Sequence, residues 1–310
     1  MTENKTQHLI VLMLENRSFD HMLGYLEYPP EASFEGLLGR ESDLGNKLSD
    51  ERVVFPSPQA AYLIDPEPNH SHDSVMTQLL GSNERAFPYN LTNTGFASDY
   101  SSVHPDEPEL VLQCFTPDRL PVLSKLAQKF AVCDHWFCSL PGATWPNRNF
   151  AHAATSDGEV NIQLRTYHNK TIFEQLSEAD RDWAIYYGGF PPQSLAFTHL
   201  WTSPDRNWLQ RFKPVDQLYR AIQYDRLPDY AFVEPDMLGK ISDSQHPGTG
   251  GEMDFRAAER LIWRMYTTLR ENMAVFNKTL FLITYDEHGG FFDHVPPPQG
   301  PEWQVNEVYK

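Results

Sequence analysis

The chain is poor in cysteine, in basic residues and in long apolar runs, and each shortage excludes something. Its 310 residues hold only Cys114, Cys133 and Cys138. Three cysteines cannot build a disulfide framework, and the odd count leaves at least one thiol unpaired within the chain, so they are expected to act as small core residues. Lys and Arg number 25 against 42 Asp and Glu, a net charge of −17. Such an excess of acid repels a nucleic-acid backbone or an anionic membrane surface, and fits metal cations or a substrate met by a locally cationic site. Met1–Gln7 is polar, and the apolar run Leu9–Leu14 is far too short for a signal sequence or a spanning helix. No nucleic-acid partner and no transmembrane segment are expected. The chain as written reads as cytoplasmic, although a mature secreted chain would read the same.

What is present is a globular composition, 40% hydrophobic, without internal repeats. Segments of helical and strand period alternate, the pattern of an α/β sheet. A single domain over residues 1–310 is expected, with a Pro-, Gly- and acid-rich excursion over the surface at about 29–68. His8–Leu14 and Thr279–Tyr285 are continuous apolar runs, as expected for parallel strands covered on both faces. Trp183–Tyr187 and Tyr230–Val233 are further strand candidates, as is a segment near Ala131–Phe137. Helices are expected near Phe19–Leu26, Ser74–Leu80, Pro117–Phe130, Asn149–Ala154 and Asp254–Glu271, the last with Phe255, Ala258, Leu261, Ile262, Met265 and Leu269 on one side.

Both buried strands end in oxygen-bearing residues: Glu15-Asn16 after the first and Asp286-Glu287 after the second. In open α/β sheets ligands collect beyond the carboxyl ends of the strands. Adjacent parallel strands would gather three carboxylates whose mutual repulsion a divalent cation relieves, and an all-oxygen set suits Mg²⁺, Ca²⁺, Mn²⁺ or Zn²⁺. Read singly, each pair is more simply a strand-end turn former. Thr144, before Trp145-Pro146, falls at the start of a helix, where its hydroxyl could either cap the helix or attack an anionic phosphorus centre. Twelve histidines include His70 and His72, His246, His288 and His294. Any one of them is more often structural than catalytic, although their ordinary pKa suits acid catalysis.

Three segments, Glu15-Asn16-Arg17-Ser18-Phe19-Asp20-His21, Pro141 to Arg148 (PGATWPNR) and Tyr285 to Pro296 (YDEHGGFFDHVP), together resemble the phosphoesterase family of non-haemolytic and plant non-specific phospholipases C and bacterial acid phosphatases. Weaker matches at Asp65–Gly81 and from Glu234 to His246-Pro247 extend the likeness over nearly the whole chain.

The resemblance implies an alkaline-phosphatase-like α/β fold, a mostly parallel central sheet with helices on both faces. It implies Thr144 as nucleophile, and one divalent metal bound by Glu15, Asn16, Thr144, Asp286 and Glu287. His70 and His246 would line the phosphate site or assist the leaving group. Arg17, Arg148, His288 and Trp145 are further candidates for contacting substrate. For the two arginines a structural ion pair is the favoured alternative, and Trp145 stands where small or polar residues are more usual in the family.

The implied activity is hydrolysis of a phosphate ester, with phospholipase C-type cleavage of a diester, through a phospho-threonine intermediate, ahead of monoester cleavage. The alternatives are an acid phosphatase or a non-catalytic relative that binds metal or phosphate. A sulfatase-like reading lacks its Cys- or Ser-x-Pro-x-Arg segment. If the substrate is a lipid, an apolar groove and a zwitterionic head group are expected. The family continues past Asp293-His294-Val295-Pro296 into another strand, which is expected to be absent from this chain, ending at Lys310.

Overall fold

A computed structural model describes residues 6–28, 34–81, 85, 88–202, 206–248 and 251–298. Its centre is a five-stranded, wholly parallel sheet. The strands are β1 (His8–Leu14), β4 (Trp183–Tyr187), β5 (Phe212–Pro214), β6 (Tyr230–Glu234) and β7 (Thr279–Tyr285), in the order β5-β4-β6-β1-β7. A separate ribbon pairs β2 (Asn46–Lys47) with β3 (Val53–Val54).

Helices cover both faces of the sheet. Ile10, Leu12 and Leu14 of β1 face a core that includes Leu123 from helix Pro121–Ala127, Leu218 and Ile222 from helix Val215–Gln223, and Ile262 and Met265 from helix Glu252–Glu271. Val11 and Met13 point the other way, toward Phe173 of helix Ile172–Glu178 and Trp183. This two-sided demand explains why β1 is apolar at successive positions rather than alternate ones. Helix Thr144–Ala153 packs on that second face, where His152 meets Phe232 edge-on at 4.6 Å. The α/β architecture with a parallel sheet is as expected from the sequence.

Three expectations change. Ala131–Phe137 is not a strand: Asp134 accepts the Glu35 amide and His135 faces Glu35, and the segment makes no strand pairing with the sheet. The helix expected from Pro117 starts at Pro121 and runs only to Ala127, with residues 117–119 in a turn. The 34–68 part of the excursion is not wholly superficial, since Leu37, Leu48 and Ile64 are buried with Phe96 and Phe292 in a core of their own; residues 29–33 lie outside the described residues. Of the cysteines only Cys114 is buried, and Cys133 is exposed.

Register is what builds the site. Leu14 pairs with Tyr285, so the next residues, Glu15 and Asp286, emerge side by side. β6 is the other neighbour of β1 and ends in Glu234. The β7 edge facing away from β1 has no strand partner among the described residues.

Candidate active site

Asn16 leaves β1 in the left-handed region at φ 56°, which asparagine tolerates better than most residues. That turn directs its amide N–H to Asp286 Oδ1 at 3.0 Å. Gly289, at φ +65°, packs so tightly on this turn that a Cβ there would lie 2.3 Å from the Asn16 carbonyl oxygen. The Gly-Gly step after His288 is thus a steric requirement of the joint between the first and last motifs.

Thr144 opens the ten-residue helix Thr144–Ala153, but the N-cap is Ala143, without a side-chain capping bond. The capping role open to Thr144 from sequence is therefore not the one it has. Its hydroxyl instead donates to Asn16 Oδ1 at 3.2 Å. Asn147 one turn on holds the preceding loop, bonding Leu140, Gly142 and Ala143 carbonyls through Nδ2.

Arg148 has no exposed side-chain surface and donates through Nε to Asp286 Oδ2 at 3.0 Å, and through Nη2 to the Met13 and Leu14 carbonyls. Burial alone would lower its pKa, but Asp286, Glu15 and Glu234 raise it above its ordinary value. Arg17 is also buried but meets no carboxylate. It donates through Nε to the Gln245 carbonyl and lies between the Phe255 and Phe291 rings at 4.7 and 4.6 Å, and burial lowers its pKa to about 9. Arg148 thus makes the structural ion pair expected of it, whereas Arg17 is held by a carbonyl and two rings in place of one.

His70 Nδ1 lies 2.8 Å from Glu287 Oε1, and Asn16 Nδ2 is 3.4 Å from the same ring nitrogen. Burial acts to lower the His70 pKa, but Glu287 outweighs it and lifts the ring to about 9. His246 stands with its ring centroid 6.4 Å from that of His70, and its pKa is lowered by burial despite Glu67. The cleft thus pairs one protonated and one neutral imidazole near pH 7. His288 sits behind them, with Nδ1 accepting the Gly290 amide and its pKa lowered to about 4 by burial. Trp145 is half-buried next to Thr144.

Three groups outside the three long motifs also touch the site. Gln193 Nε2 donates to Glu15 Oε1 at 3.1 Å, and the Ser244 carbonyl accepts the Glu15 amide at 2.9 Å. Glu67, in Pro66-Glu67-Pro68-Asn69-His70, places Oε2 3.5 Å from His246 Nδ1. Its closeness to His70 in the chain was the one signal available; nothing local marks Gln193.

Among the described residues, two sets of His, Cys, Asp or Glu side chains bring potential ligand atoms within 4.8 Å of one another and could hold a metal ion: Glu67 with His70 and His246, and Asp20 with Asp293 and His294. Neither is the set expected from the sequence, whose chemistry is nonetheless apt. Glu15, Glu234, Asp286 and Glu287 are all buried, and among the described residues Arg148 and His70 are the cations bonded to or close against them. Burial raises the pKa of both Glu15 and Glu287, with Arg148 and His70 opposing it and Asp286 adding to it, so both carboxylates stand in a dry site that disfavours their charge. Carboxylates, the Asn16 amide oxygen and the Thr144 hydroxyl form a hard-oxygen donor set that fits a divalent cation.

Beside β7 runs a groove of about 1630 Å³, lined by Leu282, Phe130, Trp136 and Phe137 among others and reaching Glu287 and His288. Phe137 and Trp136 come from the segment misread as a strand; their apolar character serves this groove.

The model of the phosphoesterase family matches residues 6–309. The chain belongs to the phosphoesterase family. It is 36% identical over 307 residues to the non-specific phospholipase C5 of Arabidopsis thaliana, a match covering 94% of this chain and 57% of that protein. It is 34% identical to the non-specific phospholipase C3 of the same plant, covering 94% and 56%. Phospholipase C B of Mycobacterium tuberculosis (strain ATCC 25618 / H37Rv) is 29% identical over 332 residues, covering 95% and 61%. This family member therefore spans little more than half the length of these relatives. No helix among its described residues is long and apolar enough to cross a membrane.

Proposed function

We propose that this chain carries the catalytic site of a phosphoric ester hydrolase, acting on a phosphodiester in the manner of a phospholipase C. The observation that carries the proposal is the placement of Thr144 Oγ1: at the N-terminus of a helix, released from capping, 3.2 Å from Asn16 Oδ1 and beside the joined ends of β1 and β7. The helix terminus favours an anionic phosphoryl group there. The names of the relatives and the apolar groove ending at Glu287 and His288 support a lipid diester over a small soluble one.

A divalent cation such as Ca²⁺, Mg²⁺, Mn²⁺ or Zn²⁺, held by Glu15, Asn16, Thr144, Asp286 and Glu287, would acidify the threonine hydroxyl and offset charge on the phosphoryl oxygens. Thr144 Oγ1 attacks phosphorus in line, forming the Oγ–P bond as the bond to the leaving alcohol breaks. His70, protonated near neutral pH, supplies the proton to that alcohol. His246, held neutral, takes the Thr144 hydroxyl proton in this step and returns it to Oγ1 when water cleaves the Oγ–P bond, the proton of that water passing to the now neutral His70. Asn16 holds the Thr144 hydroxyl in place, and Arg148 fixes Asp286.

The test is p-nitrophenol release from p-nitrophenyl phosphorylcholine and from p-nitrophenyl phosphate, with and without chelator, by wild type and Thr144→Ala. Chelator-sensitive turnover of the diester that Thr144→Ala abolishes is expected. Preference for the monoester would move the chain to the phosphatase side of the family, and full activity in Thr144→Ala would overturn the assignment.

A further inference from the structure

Among the described residues, the three most exposed large apolar side chains are Leu164, Phe190 and Leu238, at 93%, 76% and 74% exposure. Single apolar residues on a surface are ordinary and call for no explanation. These three differ in where they stand, because each rides a loop anchored directly to the catalytic cleft.

The Leu164 loop is tied down just before Thr144, where the Val160 carbonyl accepts the Ala143 amide and Asn161 Oδ1 accepts the His72 amide at 2.8 Å. The Phe190 loop leaves the carboxyl end of β4 and returns at Gln193, which bonds Glu15. The Leu238 loop leaves the carboxyl end of β6 and returns at Ser244, whose carbonyl accepts the Glu15 amide. Gly188 and Gly189 pack against Asp236, where an added Cβ would lie 2.6 and 2.2 Å from Asp236 atoms, so the second and third loops support each other. All three loops are therefore anchored to residues that border Thr144 or follow the carboxyl end of β1.

We infer that these tips form a docking rim that seats the mouth of the cleft on a zwitterionic lipid surface, an inference that rests on the proposed function. Apolar side chains carried singly on separate loops suit a fluid hydrocarbon layer, into which each can insert independently, better than the continuous packed patch that a protein partner requires. Charge selects the kind of lipid. The chain carries −17, Arg165 beside Leu164 is already paired with Asp157 and Glu159, and Lys240 is a single cation on the Leu238 loop, too little for the cluster of basic residues that holds anionic lipid.

Vesicle cosedimentation of the full 310-residue chain tests this, using phosphatidylcholine vesicles and phosphatidylcholine mixed with phosphatidylserine. Wild type is expected to bind the first more tightly than the second. The triple variant Leu164→Ser, Phe190→Ser, Leu238→Ser is expected to lose on the order of a hundredfold in partitioning, with melting temperature and turnover of soluble p-nitrophenyl phosphorylcholine unchanged. Failure of wild type to bind phosphatidylcholine, or equal binding by the triple variant, would overturn the rim. So would a wild-type dimer that the triple variant dissociates without change in vesicle binding, which would assign the tips to a second copy. If the proposed function is wrong but the rim is right, soluble turnover is absent while the vesicle difference between wild type and variant remains.

Discussion

Glu67, His70 and His246 stand at the cleft, while Asp20, Asp293 and His294, the second of the two acid–histidine clusters, are nearly shut away from water. The side chains of His70 and His246 are 19% and 24% exposed, whereas those of Asp20 and His294 are 0% and 4% exposed. In the inner cluster both ring nitrogens of His294 are engaged, Nδ1 with Asp20 Oδ2 at 2.7 Å and Nε2 with Arg40 Nη1 at 3.2 Å. The His294 amide also donates to Asp20, and Asp293 accepts the Asp20 and Val295 amides. The inner cluster therefore clamps the first motif to the last. Residue type does not separate the two acid–histidine sets; the burial of their side chains does.

The contrast can be broken by mutation, and the largest expected effect is at Thr144, the proposed nucleophile. Thr144→Ala should lower diester turnover by at least about 10³-fold with little change in melting temperature; both are read on the same preparation. His70→Asn should cost about 10²–10⁴-fold in rate, again with stability nearly preserved. Asp20→Ala should do the opposite. It strands His294 beside a buried gap, so chemical denaturation should show a loss of about 3–5 kcal/mol, while any protein that remains folded keeps its rate at permissive temperature. Equal stability losses in His70→Asn and Asp20→Ala would erase the distinction.

A smaller effect concerns pH. Burial, with Asp20 adding to it, raises the Asp293 pKa, so between its unfolded and folded values the native state binds the extra proton. Stability from this group is greatest below the ordinary aspartate range and declines as pH climbs toward the raised value. His294 is raised as well: burial opposes the shift, but the bond to Asp20 prevails, and its contribution is present below the ordinary histidine value and lost as pH rises through the folded one. Both groups therefore weaken the fold as pH rises above about 6.5. The melting temperature should fall between pH 6 and 9, and fall less in Asp293→Asn; an identical slope in the variant would contradict this account of the cluster.

Much of this was legible in the sequence where a pattern repeats along the chain. The strands at 8–14 and 279–285 show themselves as continuous apolar runs, although the edge strand β7 is only partly buried, and the long helix from 252 shows itself by its apolar period. The pairing of Glu15 with Asp286 follows once two parallel strands are made neighbours. What was hidden depends on contacts between distant residues. Gln193 reaches Glu15 across 178 positions, and its own neighbourhood carries no mark of that. The apolar residues at 131–137 resemble a strand because lining a groove demands the same side chains as filling a sheet. Arg17 and Arg148 look equivalent as motif arginines and part company only when one finds Asp286 and the other two phenyl rings.

The most direct test of the central claim is acid quenching during turnover of p-nitrophenyl phosphorylcholine, followed by intact-mass and peptide-level mass spectrometry. The account predicts a phosphorylcholine adduct on the peptide containing Thr144, localised to that residue and absent from Thr144→Ala. Sustained turnover without any adduct, or an adduct on another residue, would contradict it.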